Sequence, residues 1–471
     1  MFKSKVKERR IFTDRKRVRR RFSWLGAIAS VTLLLLVLEL LTRIVIDLSG
    51  RRKQFAQTEV TENLETAYRL NFIDGKSLAP GEQQDQLQAK NSIAVGYELI
   101  PEQTSKYWQI NPQGFREEAP VPLKKPQGEI RIFLLGGSTA FGYGNSGNDS
   151  TISHHLEQRL QQRLRQQQSS PQLYQPDILP ADQTKQAAYL AKPAKIKSGN
   201  YRVINAAVPG YASGNELAQV ALQILKYQPD LIVILNGYPD LLLPSTHKAM
   251  ATPVGNRAGE EQNQIISYLQ ELVTPLKNNS YLAKVAQNHW LSQAEPAFKT
   301  QFLLDESTSR LVRHLPADEL ELQQRVTRYI EHQKQILSLS APASVPLLIA
   351  IQPEITGRNP SQLTDSEGAI ATELGRTYIQ QVRDSYPLFT QAVFKLAQTY
   401  PQNVKAVDLY RLTDKYPLPS FIDAIHLNEA ANQKVAEQLY YSVASFSKMQ
   451  VTPKKPAPVE KTNSAKDKLS N

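Results

Sequence analysis

The chain has 471 residues, no cysteine, 56 Lys and Arg against 44 Asp and Glu, and 41% hydrophobic residues, the composition of a folded protein. Without cysteine there are no disulfides, no thiolate nucleophile and no cysteine-held zinc or iron-sulfur centre. The net charge of +12 is concentrated in residues 1–22 and 448–471, so the body is nearly neutral, which excludes the basic face of a nucleic-acid-binding domain.

Residues 1–22 are a basic segment ending in Arg19, Arg20 and Arg21, and they run directly into an apolar stretch with Glu39 as the only charge before Arg43. A helix from Trp24 to Ile46 is roughly 35 Å long, enough to cross a hydrocarbon core of about 30 Å. Residues 23–47 therefore read as a transmembrane helix. The basic side stays in the cytoplasm, which puts the main domain across the membrane, in the periplasm or at the cell surface. Glu39 and Arg43, at i and i+4, pair near the outer end. A cleavable signal peptide is the competing reading, but no small-x-small site follows the apolar run before Asp47, so the helix reads as an uncleaved anchor.

Residues 48–125 begin with a polar, Gln-rich stalk to about residue 90. An irregular stretch from Val95 to Lys125 follows, with a turn at Asn111-Pro112-Gln113-Gly114-Phe115-Arg116, and is expected to pack on the main domain. Within residues 126–447, apolar runs at 130–135, 202–205, 231–235, 347–351 and 404–408 read as buried strands. Helical patterns occupy 151–168, 213–227, 388–400 and 428–446. This alternation predicts an α/β fold, a doubly wound parallel five-stranded sheet with helices on both faces. Residues 169–200 read as a surface loop. Residues 245–340 hold a helical insert with a stripe of Leu322, Val326, Tyr329, Ile330 and Leu337, read either as a lid or as a lengthened crossover. Residues 448–471 form a basic tail, disordered from Val451 onward.

In such a sheet the site lies beyond the carboxyl ends of the strands. The first strand ends in Leu135-Gly136-Gly137-Ser138-Thr139, where glycines permit a sharp turn that raises the Ser138 hydroxyl above the sheet. Alone, this is as readily a simple turn or a helix cap. Near the other end stands Asp423-Ala424-Ile425-His426, in which the carboxylate can hold the imidazole in its proton-accepting tautomer. An isolated Asp-x-x-His also arises by chance in polar loops, but the topology brings this one to the same end of the sheet as Ser138. His154 and His155 are adjacent on one helix, poor metal geometry, and read as surface residues. Gly142-x-Gly144 lacks the context of a phosphate loop. Glu354 reads as a solvated loop carboxylate or a pocket-lining one. The sequence implies no metal and no organic cofactor.

The ordered set Gly137-Ser138, Val208-Pro209-Gly210 and Asp423-x-x-His426 resembles the SGNH (GDSL-like) hydrolase family over roughly residues 128–447. The resemblance implies a nucleophile at Ser138, a general base at His426 and an orienting acid at Asp423. It also implies an oxyanion hole from the N–H groups of Ser138 and Gly210. The family's third block, Gly-x-Asn-Asp, is replaced by Asn236-Gly237-Tyr238-Pro239-Asp240, so proline stands where the asparagine donor is expected. Losing one such donor costs about 2.7 to 4 kcal/mol of transition-state stabilisation. Asn236 is the nearest substitute. The expected function is a membrane-anchored serine esterase acting on an acylated polysaccharide, peptidoglycan or lipid ester. One alternative is an O-acyltransferase using the same residues. Another is a weak or inactive domain that binds envelope glycan or a partner protein.

Overall fold

In the computed structural model the chain divides into two compact units, residues 1–60 with 257–298 and residues 61–256 with 299–471. The structure describes residues 33–34, 37–38, 41, 64, 66–73, 86–92, 95–246 and 311–456. In the first unit these are Leu33, Leu34, Val37, Leu38 and Leu41, helical and exposed. The rest of the span expected at 24–46 lies outside the described residues, and among the described residues no helix is long and apolar enough to cross a membrane.

The second unit begins with a small sheet in the polar stretch before residue 100. Strand β1 (Leu70–Phe72) runs parallel to β2 (Leu87–Ser92), which pairs antiparallel with β3 (Gly96–Leu99). Leu87, Ala89, Tyr97 and Leu99 are buried, and they join the same apolar core as the main sheet. The main sheet comprises β4 (Glu129–Gly136), β5 (Asn200–Asn205), β6 (Leu231–Asn236), β7 (Leu347–Ile351) and β8 (Val404–Asp408). All its pairs are parallel, in the order β5-β4-β6-β7-β8. Every residue of β6 and β7 is buried, as expected of strands covered on both faces. The edge strands carry Arg202 and Lys405, charges that discourage further pairing.

The helices are α1 (Ser138–Phe141), α2 (Ile152–Ser169), α3 (Gln183–Leu190), α4 (Ser213–Gln219), α5 (Tyr238–Leu242), α6 (Glu319–Ser340), α7 (Asp365–Thr399) and α8 (Glu429–Ala444). Helices α2 and α8 pack together in one layer, while α4, α6 and α7 form the other. Helix α2 is capped by Thr151 and buries Ile152, Leu156 and Leu160, one apolar stripe at i+4 spacing. The helix expected at 213–227 continues beyond α4 as a π-turn at Val220–Ile224 and a 3₁₀ turn at Leu225–Tyr227. Helix α7 starts well before the expected residue 388. Thr364 and Glu367 form a capping box at its start, and the chain leaves helical geometry only at Gly375, at φ +79°.

Of the insert expected at 245–340, the described part includes helix α6, which buries Val326, Tyr329, Ile336 and Leu337 and packs on α4 and α7 as a layer of the sandwich. Residues 247–310 lie outside the described residues. The expected surface loop at 169–200 contains α3, none of whose residues is buried. It also pairs with the start of the C-terminal tail, through Ile196 with Gln450 and Ile178 with Lys454. These backbone bonds order a segment read from composition as disordered; residues 457–471 lie outside the described residues.

Candidate active site

Four strand ends meet above the sheet. Gly136 takes φ +150°, and a Cβ there would lie 2.3 Å from Leu235 O, so only glycine lets β4 leave the sheet this close to β6. Gly137 then sits against the carbonyl of Tyr211 and the ring of Pro239, which brings the 208–213 and 236–240 turns up to the start of α1. Ser138, the first residue of α1, is 4% exposed. Gly210, at φ +82°, follows Pro209, whose carbonyl accepts from Tyr97 Oη at 2.6 Å. The small sheet thus fixes one side of the turn expected to supply an oxyanion donor.

The Asp-x-x-His loop closes over the same end. His426 Nδ1 is 2.5 Å from Asp423 Oδ2, while Asp423 Oδ1 accepts the N–H groups of Ile425 at 2.9 Å and His426 at 2.7 Å. Burial works to raise the Asp423 carboxyl. The charge and ring of His426 and those two N–H donors outweigh it, and hold the group below its ordinary value. An ionised Asp423 bonded to Nδ1–H makes Nε2 the basic nitrogen of a neutral His426. The loop is tied to the serine turn by Thr139, whose Oγ1 donates to Ile425 O at 3.3 Å and accepts from Gln352 Nε2 at 3.0 Å. Residues one past Ser138 and one before His426 are therefore in direct contact.

Four residues without any motif signature hold this arrangement. Arg116, buried in the irregular segment, donates through Nη1 to the carbonyls of Phe141 and Gly142. Through Nη2 it donates to Tyr107 O, Gly147 O and Tyr68 Oη, and through Nε to Asn148 Oδ1. Glu367, also buried, accepts the N–H groups of Ser420 and Phe421 and faces Arg358 at 3.3 Å. Arg358 in turn donates to Ser420 Oγ and to the carbonyls of Tyr416 and Leu418. Tyr143 stacks its ring on His426, with centroids 4.2 Å apart and planes at 19°.

Asn236, the expected substitute donor, is engaged elsewhere. It closes β6 and is fully buried, with Nδ2 on the Glu216 carboxyl and Oδ1 accepting Gly237 N–H at 2.7 Å. Burial, aided by Asp240, pushes the Glu216 carboxyl well above its ordinary value, and the Asn236 amide donates to it in the α4 layer. Pro239 lies in the first turn of α5, against Gly137. Glu354 is not solvated: it is buried, accepts from Thr356 and from Tyr378 Oη at 3.1 Å, and burial raises its carboxyl to about 7. His154 is bonded to Gln158 at the surface. His155 lines a cavity of about 300 Å³ with Ser146, Asp149, Ser150, Glu429 and Gln433. Among the described residues no group of His, Asp and Glu is placed to hold a metal ion.

A three-layer α/β domain with a glycine-flanked serine and an Asp-His pair at the carboxyl end of a parallel sheet has the architecture of a serine acylhydrolase. The chain belongs to the GDSL-like lipase/acylhydrolase family, whose profile matches residues 132–439. No curated protein matches it. Among solved structures it is similar to Axe2, an acetyl-xylooligosaccharide esterase from Geobacillus Stearmophilus, at 11% identity and a TM-score of 0.33, over 67% of this chain and 94% of that one. It is also similar to TesA, at 11% identity and a TM-score of 0.31, over 67% and 98% of the two chains. A third is LAE5, an alpha/beta hydrolase from the metagenome of Lake Arreo, Spain, at 10% identity and a TM-score of 0.31, over 67% and 94%.

Proposed function

We propose that this acylhydrolase-family chain is a serine esterase, anchored by its N-terminal helix and facing an ester-bearing component of the cell envelope. The observation that carries the reading is the direct tie between the Ser138 turn and the Asp423–His426 pair through Thr139 and Ile425. In this reading Ser138 Oγ attacks the ester carbonyl as its proton passes to His426 Nε2. The alcohol leaves with that proton, giving an acyl-Ser138. Water then attacks the acyl carbon, His426 takes its proton, and the carboxylic acid leaves as Ser138 regains a proton. The N–H groups of Ser138 and Gly210 face the developing oxyanion. If an acceptor hydroxyl replaces the water, the same steps transfer the acyl group. The anchor and the outward orientation rest on the apolar run after eleven basic residues in the first 22.

The test is a fluorophosphonate probe on the purified full-length chain. Labelling should occur in wild type and disappear in Ser138→Ala, which should keep its melting temperature. Esterase activity that survives in Ser138→Ala would show the nucleophile to be another residue. The second reading, a domain that binds and does not turn over, is favoured by Pro239 at the donor position, and an unlabelled wild type would support it.

A further inference from the structure

Tyr143 has no part in the serine, oxyanion or Asp-His assignments, yet its ring lies nearly parallel to the one imidazole on which they depend. The loop that carries it is fixed from three directions. Arg116 binds the carbonyls of Phe141, Gly142 and Gly147 from the N-terminal segment. Glu429, in the first turn of α8, accepts from Ser146 N–H at 3.1 Å and from its hydroxyl. Asn432, one turn further along α8, donates to Asn145 Oδ1 at 2.9 Å. Gly144, at φ +79°, lets the chain pass within reach of Ile422, where a Cβ would meet the side chain at 2.4 Å. Elements on both sides of the loop therefore hold one aromatic ring over His426.

We infer that Tyr143 is a positioning residue for His426, and that its π face stabilises the imidazolium formed while the general base carries a proton. Asp423 holds the imidazole at its Nδ1 edge, and the stacked ring of Tyr143 bears on its face, so the two restrain the ring in different directions. A cation over an aromatic face is stabilised electrostatically, the more so where water is excluded, and His426 is fully buried. The interaction strengthens as His426 becomes charged, so it lowers the barrier more than it aids substrate binding. This role rests on the esterase reading.

The experiment compares full-length wild type, Tyr143→Phe and Tyr143→Leu. The readouts are Ser138 labelling by fluorophosphonate, hydrolysis of a short acyl ester, and NMR of selectively labelled histidine with His426→Gln for assignment. Tyr143→Phe keeps the face and should stay within about twofold of wild type, whereas Tyr143→Leu keeps an apolar cover and should lose kcat and labelling rate on the order of tenfold, KM barely moving. The His426 ring proton should show an aromatic upfield shift in wild type and Tyr143→Phe, and lose it in Tyr143→Leu. Equal rates for the Phe and Leu variants, or a fall carried by KM, would overturn the role. A His426 signal insensitive to Tyr143→Leu would overturn the stack itself. A wild type that shows the stack by NMR but neither labels nor hydrolyses would overturn the esterase reading and, with it, the catalytic part of the inference.

Discussion

Pro239 packs its ring against Gly137, next to the serine, and the resemblance to the family implies a hydrogen-bond donor at its position. Pro239→Asn should therefore raise the rate of Ser138 labelling, by up to about 10²-fold if the amide reaches the oxyanion. Part of that gain is offset because proline is pre-formed for the first turn of α5. Asn236→Ala should instead act on stability. It leaves the Gly237 N–H and the Glu216 carboxyl without a buried partner, a loss of roughly 1 to 3 kcal/mol measurable by urea unfolding. A labelling rate that collapses in Asn236→Ala while stability is unchanged would return Asn236 to the oxyanion hole. At this scale the sequence marks Ser138, Asp423 and His426 as candidates because each sits at fixed spacing from a glycine or from its partner. It conceals Tyr143 and Arg116. Their partners are an imidazole 283 positions away and main-chain carbonyls, and neither leaves a pattern in side-chain types.

Among the elements, the loop from Tyr416 to His426 has no regular secondary structure and takes its shape from Arg358 and Glu367. Burial alone would raise the Glu367 carboxyl, but the N–H groups of Ser420, Thr364 and Phe421 hold it below its ordinary value. Glu367→Gln leaves the Arg358 guanidinium buried without its counter-charge, and should cost about 3 kcal/mol or more in urea unfolding. Ser138 labelling should slow as well, because the same carboxylate places the residues before Asp423. A variant as stable as wild type would show the pair to be dispensable. The five strands are legible from sequence because β4, β6 and β7 are buried runs of Ile, Leu, Val and Phe. The small sheet is not, since Leu87-Gln-Ala-Lys-Asn-Ser offers few apolar residues and is stabilised by pairing and by Tyr97 against the main domain. Helix α7 begins at Asp365, well before the expected residue 388, and continues through Pro387.

For the whole molecule, two carboxyls outside the Ser138, Asp423 and His426 set, the buried Glu354 and the partly buried Glu117, bear on stability. Burial raises Glu117 to about 7 against the N–H of Asn205 and the charge of Arg202, and Glu354 to about 7 against Thr356 and Tyr378. A carboxyl whose folded value lies above its unfolded one binds its proton more tightly in the folded state. Its stabilising contribution is complete below the unfolded value of about 4.5 and is lost as pH rises through the folded value. His155 and His332, which burial pushes below the ordinary histidine value, run in the opposite direction, so the total slope mixes the two. The difference between variant and wild type isolates the carboxyls. Glu117→Gln and Glu354→Gln should each gain melting temperature relative to wild type as pH is raised from about 5 to 8. A pH-independent offset would mean that neither carboxyl changes protonation on unfolding in that range.

Arg116 also bears on where the molecule can be divided. The family match begins at residue 132, but the guanidinium that binds the 141–147 loop, and the Tyr68 hydroxyl that binds both Arg116 and Asn145 O, come from before that boundary. A protein expressed from residue 129 onward would retain every motif and all five strands of the parallel sheet while losing the anchor of its Tyr143 loop. Such a fragment, which also gives up the core residues of the small sheet, should react sluggishly with fluorophosphonate. Surveys that define hydrolases by their motif-bearing core alone would then score it as inactive, although the cause would be the position of the cut.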